Sequence, residues 1–369
     1  MAILARAREL EAQGRDIVHL EIGEPDFTTP APIVAAGMDA LQAGLTHYTP
    51  ALGLPALRQA IAAYYGTRYG AAVDPERVCV TPGASGALLL AMAALFDPGE
   101  EVLIADPGYP CNRHFARLVE ARGVGVPVGP ESQFQLTAEL VDRHWRPQTK
   151  GVLVANPGNP TGTLIAPGEL AAIHEVVRKR GGVLLVDEIY HELVYGDSPP
   201  SAAGLGEDVV VINSFSKYFL MTGWRLGWML VPPTLVPVVD RLAQNIFLAA
   251  PTVAQHAALA ALAPQTRPLL EAAKAELGNR RDWLFPQLKR LGFDLPVMPD
   301  GAFYIYAGID AFGEEAEGLA ERWLMEAGVA VTPGTDFGLH LASRHVRFAY
   351  TTAMERVRQA VERLEKVLG

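Results

Sequence analysis

"GVLLVDEIY", residues 182–190, carries four apolar residues in a row and then stops on two carboxylates. An apolar run with no polar alternation, closed by glycine at one end and acid at the other, reads as a strand buried on both faces. Working outward, the same grammar recurs. "RVCVT" (77–81), "EVLIAD" (101–106) and "GVLVAN" (151–156) precede it; "DVVVINS" (208–214) and "GWMLV" (227–231) follow. Helical patterns separate most of these runs, beginning with "GASGALLLAMAALF" (83–96). Such alternation predicts an α/β sheet that is largely parallel. Beyond about residue 275 the pattern changes. A long helical segment, "EAAKAELGNRRDWLFPQLKRLG" (271–292), leads to "FYIYAGI" (303–309), "VAVTPG" (329–334), "HVRFAYT" (345–351) and a closing helix, which predicts a smaller α+β lobe. Residues 1–35 fit either lobe.

The chain's 369 residues are more than one hydrophobic core usually organises, so two packed lobes are expected. The net charge of −10 argues against nucleic acid or an anionic membrane surface as partner. Two cysteines, Cys79 and Cys111, stand in no paired motif, which argues against a disulfide scaffold or a zinc site and suits a reducing cytoplasm. The opening "MAILARARELEAQGRD" patterns as an amphipathic helix, not a signal peptide. The longest apolar stretch, "ALLLAMAALF" (87–96), is about half the length of a membrane span.

Polar groups gather where the strands end, which is where open α/β sheets bind ligands. Six lysines occur. Lys179, Lys274, Lys289 and Lys366 read as solvated helix-face charges, and Lys150 as part of a turn before a strand. Lys217, in "NSFSKYFLMTGWRLG" (213–227), sits just past a buried strand, where loss of water lowers an amine's pKa and readies it to attack a carbonyl. A structural ion pair is the plainer reading. Asp187 requires a cation at its own strand end: Arg225, a helix N-terminus, or a protonated cofactor ring nitrogen. Tyr190 follows at a spacing that suits a hydrogen bond to a ring hydroxyl. "ANPGNPTG" (155–162) is by itself a turn signal. "TPGASGALLL" (81–90) passes through glycine into a helix start, where free amides favour an anion.

As an ordered set these motifs resemble the class I/II aminotransferases of the pyridoxal-phosphate fold type I superfamily, close to the aspartate-aminotransferase subgroup. The likeness runs from "LEIGEPDF" (20–27) through "YTPALGLPALRQAIA", "DPGYP", "NPGNPTG", "DEIY" and "SFSKYFLMTGWRLG" to "VRFAY" (346–350). It implies a mostly parallel seven-stranded sheet flanked by helices in a large domain over 36–274. It also implies a small domain made from both chain ends, 1–35 and 275–369. The cofactor implied is pyridoxal 5′-phosphate, with Lys217 as the Schiff-base lysine and catalytic base. Asp187 would hold the ring nitrogen, Tyr190 and Asn159 the ring oxygen, and Tyr109 would stack on the ring. Gly83, Ala84 and Ser85 would cradle the phosphate with Ser214 and Arg225, whose planar fork suits a dianion. Tyr48 would reach the neighbouring subunit's phosphate, which implies a homodimer with shared sites. Arg347 would grip the substrate carboxylate with Asn159 and the Gly23 backbone; on the residues alone Arg344 is an equal candidate.

The activity implied is transfer of an amino group from an L-amino acid to a 2-oxo acid by a ping-pong route. A carbon–sulfur lyase, or another such enzyme acting on amino acids on the same fold, is the alternative, and a tyrosine in "DEIY" favours the transaminase. In some aspartate-specific relatives a lysine in the phosphate-cradle turn meets the side-chain carboxylate; Ser85 there argues against a preference for aspartate. The segment covering the site in relatives is expected to be short here. Asn112 and Arg113 lie beside the cofactor loop, Arg113 as either a substrate contact or a surface or interface ion pair. Neither a metal, nor nucleic acid, nor a membrane is expected to take part.

Overall fold

The computed structural model describes residues 2–368. Along the chain, strands β1 (Val18–His19), β2 (Val78–Thr81), β3 (Glu101–Asp106) and β4 (Arg122–Pro127) come first. β5 (Thr149–Ala155), β6 (Val183–Asp187), β7 (Val210–Ser214) and β8 (Gly227–Leu230) follow. The remaining four are β9 (Tyr304–Gly308), β10 (Val329–Ala330), β11 (Thr332–Pro333) and β12 (His345–Ala349).

Seven strands form the central sheet in the order β2-β8-β7-β6-β5-β3-β4. All its pairings are parallel except those of β8, which runs antiparallel to both β2 and β7. The period of two along a strand explains why the runs are wholly apolar. Val152, Val154, Leu184 and Val186 join one buried cluster, with helices Pro55–Tyr69 and Pro167–Lys179. Their neighbours Leu153 and Leu185 point the other way, into a cluster with helices Gly83–Leu95 and Val236–Ile246. Helices therefore cover both faces, and the expected mostly parallel seven-stranded α/β sheet is present.

β4 is a strand that no apolar run announces. Gly123 and Gly125 interrupt it, and it lies at the sheet edge, half exposed. "VAVTPG" is two strands and not one. β10 pairs in parallel with β1, and β11 pairs antiparallel with β12, which in turn pairs with β9. The chain's N-terminal segment is thus bound into structure formed near its C-terminus. Lys150 lies inside β5, not in a turn before it. Lys274 is half-buried and not fully solvated; burial lowers its pKa.

Among the described residues no helix is long and apolar enough to cross a membrane. None of their His, Cys, Asp and Glu side chains form a group of three or more that could hold a metal ion.

Candidate active site

A cavity of about 690 Å³ opens at the carboxyl ends of the central strands. Ala155 ends β5, Asp187 ends β6, and Lys217 follows β7 by one tight turn; all three line the cavity. The opposite wall comes from the segment after β1, with Gly23, from Tyr304 of β9 and from Arg347 of β12. Two sheets of different construction therefore face each other across the site.

Two buried charges, Asp187 and Arg347, and the half-buried Lys217 amine define its electrostatics. Burial pushes the Asp187 carboxyl from 3.8 up to about 6, against a backbone N–H from Ile189 at 3.0 Å that favours the ionised form. Among the described residues no cation pairs with it. The Arg225 guanidinium, one of the partners expected for it, instead donates to the Thr222 carbonyl at 2.9 Å. Burial likewise lowers the Lys217 amine from 10.5 to about 8, aided by Arg347 and Arg225 and opposed by Glu24 and Asp187. Its Nζ donates to the Gly23 carbonyl at 2.7 Å. Arg347 is 6 % exposed, and its acceptors are all neutral: Asn159 Oδ1 at 3.0 Å, the Glu21 carbonyl at 2.6 Å and Thr332 Oγ1 at 3.3 Å. Its plane lies between the rings of Tyr304 and Phe337, at 4.2 and 4.7 Å from their centroids. Its Nε has no acceptor within the described residues. An unpaired carboxylate and an unpaired guanidinium in one cavity are expensive to bury without ligands.

At the far end, helix Gly83–Leu95 points its first turn at the cavity through Ala84 and Ser85. Pro82 at the N-cap makes no side-chain cap, so the leading amides have no partner from it. Gly83 takes φ +72°, and a Cβ there would stand 2.7 Å from Arg225 Nη2. Arg225 is itself left-handed at φ 54° although it is not glycine, a conformation held by its surroundings. An exposed guanidinium, glycine and an uncapped helix start make an anion cradle. The site fits pyridoxal phosphate on these observations: an amine for its aldehyde, a buried carboxylate with no counter-cation for its ring nitrogen, and this cradle for its phosphate.

Tyr109 and Asn159 line the same cavity, and Tyr190 joins them with its hydroxyl 2.9 Å from that of Tyr304. Ser214 is buried but is not among the lining residues. It accepts from the Ser216 amide at 3.0 Å and donates to the Leu226 carbonyl at 3.1 Å, shaping the turn that presents Ser216 and Lys217. Tyr48 is 82 % exposed and lies outside the cavity of its own chain. Arg344 pairs with Asp310 at 2.6 Å on the surface, so of the two arginines only Arg347 enters the site. Arg113 donates to the Phe337 carbonyl at 2.7 Å and stands 4.0 Å from Asp106.

Tyr304, Phe337, Thr332 and Ser216 are site residues that sequence pattern does not single out. Their contacts bridge distant segments, and only the polar end of β9, "FYIYAG", hints at a role. Ile3 and Leu4 of helix Ala2–Ala12 also line the cavity, although the covering segment was expected to be short.

The family model for aminotransferase class I and II matches residues 15–364, and the chain belongs to that family. It is 39 % identical to the valine–pyruvate aminotransferase of Mycobacterium tuberculosis, over 99 % of this chain and 94 % of that protein. It is 37 % identical to the aspartate/prephenate aminotransferase of Thermus thermophilus, over 100 % of this chain and 95 % of that protein. A crystal structure of an aminotransferase from Mycobacterium tuberculosis superposes with a TM-score of 0.96 at 39 % identity, covering 100 % of this chain and 95 % of that one. The chain is accordingly a pyridoxal-phosphate-dependent aminotransferase of the aspartate-aminotransferase-like group, moving amino groups between amino acids and 2-oxo acids.

Proposed function

We propose that this cavity binds pyridoxal 5′-phosphate and works by a ping-pong sequence, releasing the first 2-oxo acid before the second substrate enters. The observation that carries the reading is the pair of buried charges, Asp187 and Arg347, that have no counter-ion among the described residues and line one cavity with the Lys217 amine. When bound, the cofactor supplies an aldehyde for an amino group and a ring that accepts electrons from the substrate's Cα. Asp187 keeps a proton on the ring nitrogen, and in doing so gains the cation its burial lacks. Arg225 and the Gly83–Ser85 helix start hold the phosphate, with Ser214 supporting the turn that brings Ser216 to the cavity; Tyr109 packs on the ring face. Tyr190 and Asn159 hydrogen-bond the ring oxygen.

Arg347 clamps the α-carboxylate of an L-amino acid with help from Asn159 and the Gly23 backbone, which fixes the bond from Cα that stands across the ring. Lys217 Nζ, poised near neutrality by burial, is the base that would take the Cα proton and hold it on the nitrogen for return in the same transfer. Its bond to the Gly23 carbonyl holds the amine on the substrate side of the cavity.

The proposed organisation is a large domain over 36–274 and a small one from 1–35 and 275–369, which the β1–β10 pairing supports. The exposed Tyr48 supports a homodimer in which this side chain completes the partner's phosphate site. Two unpaired cysteines support a cytoplasmic location. The relatives' names span different donors, so they leave the substrate open.

The test is a single turnover without acceptor. One equivalent of 2-oxo acid per site, with no free ammonia, is the expected result. Continued turnover that releases ammonia would mean a lyase instead.

A further inference from the structure

We propose that Asp106 and Arg113 are positioning residues for the substrate clamp: together they latch the loop 337–340 so that the Phe337 ring stays against the Arg347 guanidinium. The inference rests on the reading of Arg347 as the grip on the α-carboxylate. Phe337 is buried, with its ring centroid 4.7 Å from that guanidinium. An aromatic face attracts a cation and orients it without occupying it as a carboxylate would. Whatever fixes the backbone under this ring therefore fixes the clamp.

The ties come from the segment that ends β3. The Phe337 carbonyl accepts twice from it, from the Gly108 amide at 2.9 Å and from Arg113 Nη2 at 2.7 Å. The buried Asp106 carboxylate accepts from the next two residues but one, the Leu339 amide at 2.9 Å and the His340 amide at 3.3 Å. Hydrogen bonds that involve an ionised group are the stronger kind. One cation and one anion, 4.0 Å apart, thus hold the two ends of a single short loop.

Three glycines surround this pair, and none has the left-handed φ that would by itself call for glycine. A Cβ at Gly125 would stand 3.0 Å from Asp106 Oδ2, and one at Gly123 would stand 3.1 Å from Arg113 Cα. A Cβ at Gly338 would fall 1.7 Å from Asp106 Oδ1. Glycine inside a strand marks a close approach. The two that interrupt β4 clear room for Asp106 and Arg113, and Gly338 lets the loop close down onto the carboxylate. The latched segment also carries Tyr109, so it joins the residue assigned to the cofactor ring to the ring that backs the clamp. Arg347 would grip the carboxylate of amino acid and 2-oxo acid alike. Loosening the latch then weakens both by a similar factor, without touching the proton transfer.

The experiment uses the holoenzyme and follows the absorbance of the bound cofactor in single half-reactions, first across the standard amino acids. The fastest donor, and the 2-oxo acid corresponding to it, are then each run over a range of concentrations. Asp106→Ala removes the carboxylate, and Gly338→Ala drives the loop off it while leaving both latch residues in place. Each is expected to raise the half-saturating concentration roughly tenfold for both substrates, with the maximal rate and the cofactor Kd within about twofold of the parent. Asp106→Asn keeps an acceptor for the Leu339 amide and is expected to recover most of the loss. Arg113→Ala, at a half-buried position, removes one donor to the Phe337 carbonyl and is expected to shift both concentrations the same way, which keeps the proposal refutable if the other variants fail to fold. Unchanged half-saturating concentrations in folded variants, with only the urea midpoint lowered, would reduce the pair to a structural anchor. That result overturns this inference and leaves the transaminase reading standing. A weakened cofactor Kd with unchanged half-saturation would place the effect at Tyr109 and overturn it as well. No absorbance change of the parent with any amino acid would overturn both readings.

Discussion

Asp187 and Lys217 show how a site is held ready at the cost of the fold. The Asp187 carboxyl sits at about 6 when folded against 3.8 as its ordinary value. Between those values the folded chain binds more protons than the unfolded one, so this group makes the cofactor-free protein less stable as pH rises from about 4 to about 6, and the loss persists above. Roughly two pH units at ~1.4 kcal/mol each amount to about 3 kcal/mol. Asp187→Asn is therefore expected to raise the urea midpoint of the cofactor-free protein at pH 7 and to flatten its rise toward pH 4, while transamination falls by several orders of magnitude. A lower midpoint at pH 7 would contradict the assignment. Lys217 has the complementary sign: folded at about 8 and unfolded near 10.5, its penalty is full below pH 8 and is relieved as pH climbs between those values. Lys217→Ala is expected to lose activity by orders of magnitude in a steady-state assay; near-normal turnover would exclude the amine as base. Both residues stood out in the sequence because a charge at the end of an apolar run calls for a partner, although an ion pair was the plainer reading of Lys217 and Arg225 or a helix start offered one for Asp187. Arg347 was legible only through resemblance, since its two stacked rings, Tyr304 and Phe337, come from segments with no sequence link to it.

At the scale of elements, the cradle depends on how closely one turn can approach another. Gly83 is left-handed, and a Cβ there would displace the head of Arg225. Gly83→Ala is expected to weaken cofactor binding roughly tenfold or more, because moving the Arg225 head off the phosphate forfeits a charged hydrogen bond worth about 1.5–3 kcal/mol and each 1.4 kcal/mol is tenfold. Titration of the cofactor by absorbance measures it; an unchanged Kd would show that the turn is not in contact with the phosphate. The elements legible in the sequence were those buried on both faces, because burial alone dictates their unbroken apolar runs. β4 was not, since two glycines and an exposed edge leave it no such run. "VAVTPG" misled for another reason. Its residues are all buried, but Val329–Ala330 and Thr332–Pro333 serve two different sheets, a choice made by tertiary pairing and not by pattern. Ser214 illustrates the same limit over two residues: which of Ser214 and Ser216 faces the cavity is decided by a side chain–backbone bond within the turn.

For the whole molecule, residues of the central sheet and of the β11-β12-β9 sheet line one cavity. Tyr48 is the largest polar aromatic left in water, at 82 % exposed. If it completes a partner's phosphate site, the protein sediments at twice 39.7 kDa, and Tyr48→Ala weakens cofactor affinity without disturbing the fold of its own chain. A monomer of full activity would contradict the shared site.

The most direct measurement of the central claim is borohydride reduction of the holoenzyme followed by peptide mass mapping. The account requires one pyridoxyl group per chain, on Lys217. The same mass on any of the other five lysines, or on none, would contradict it.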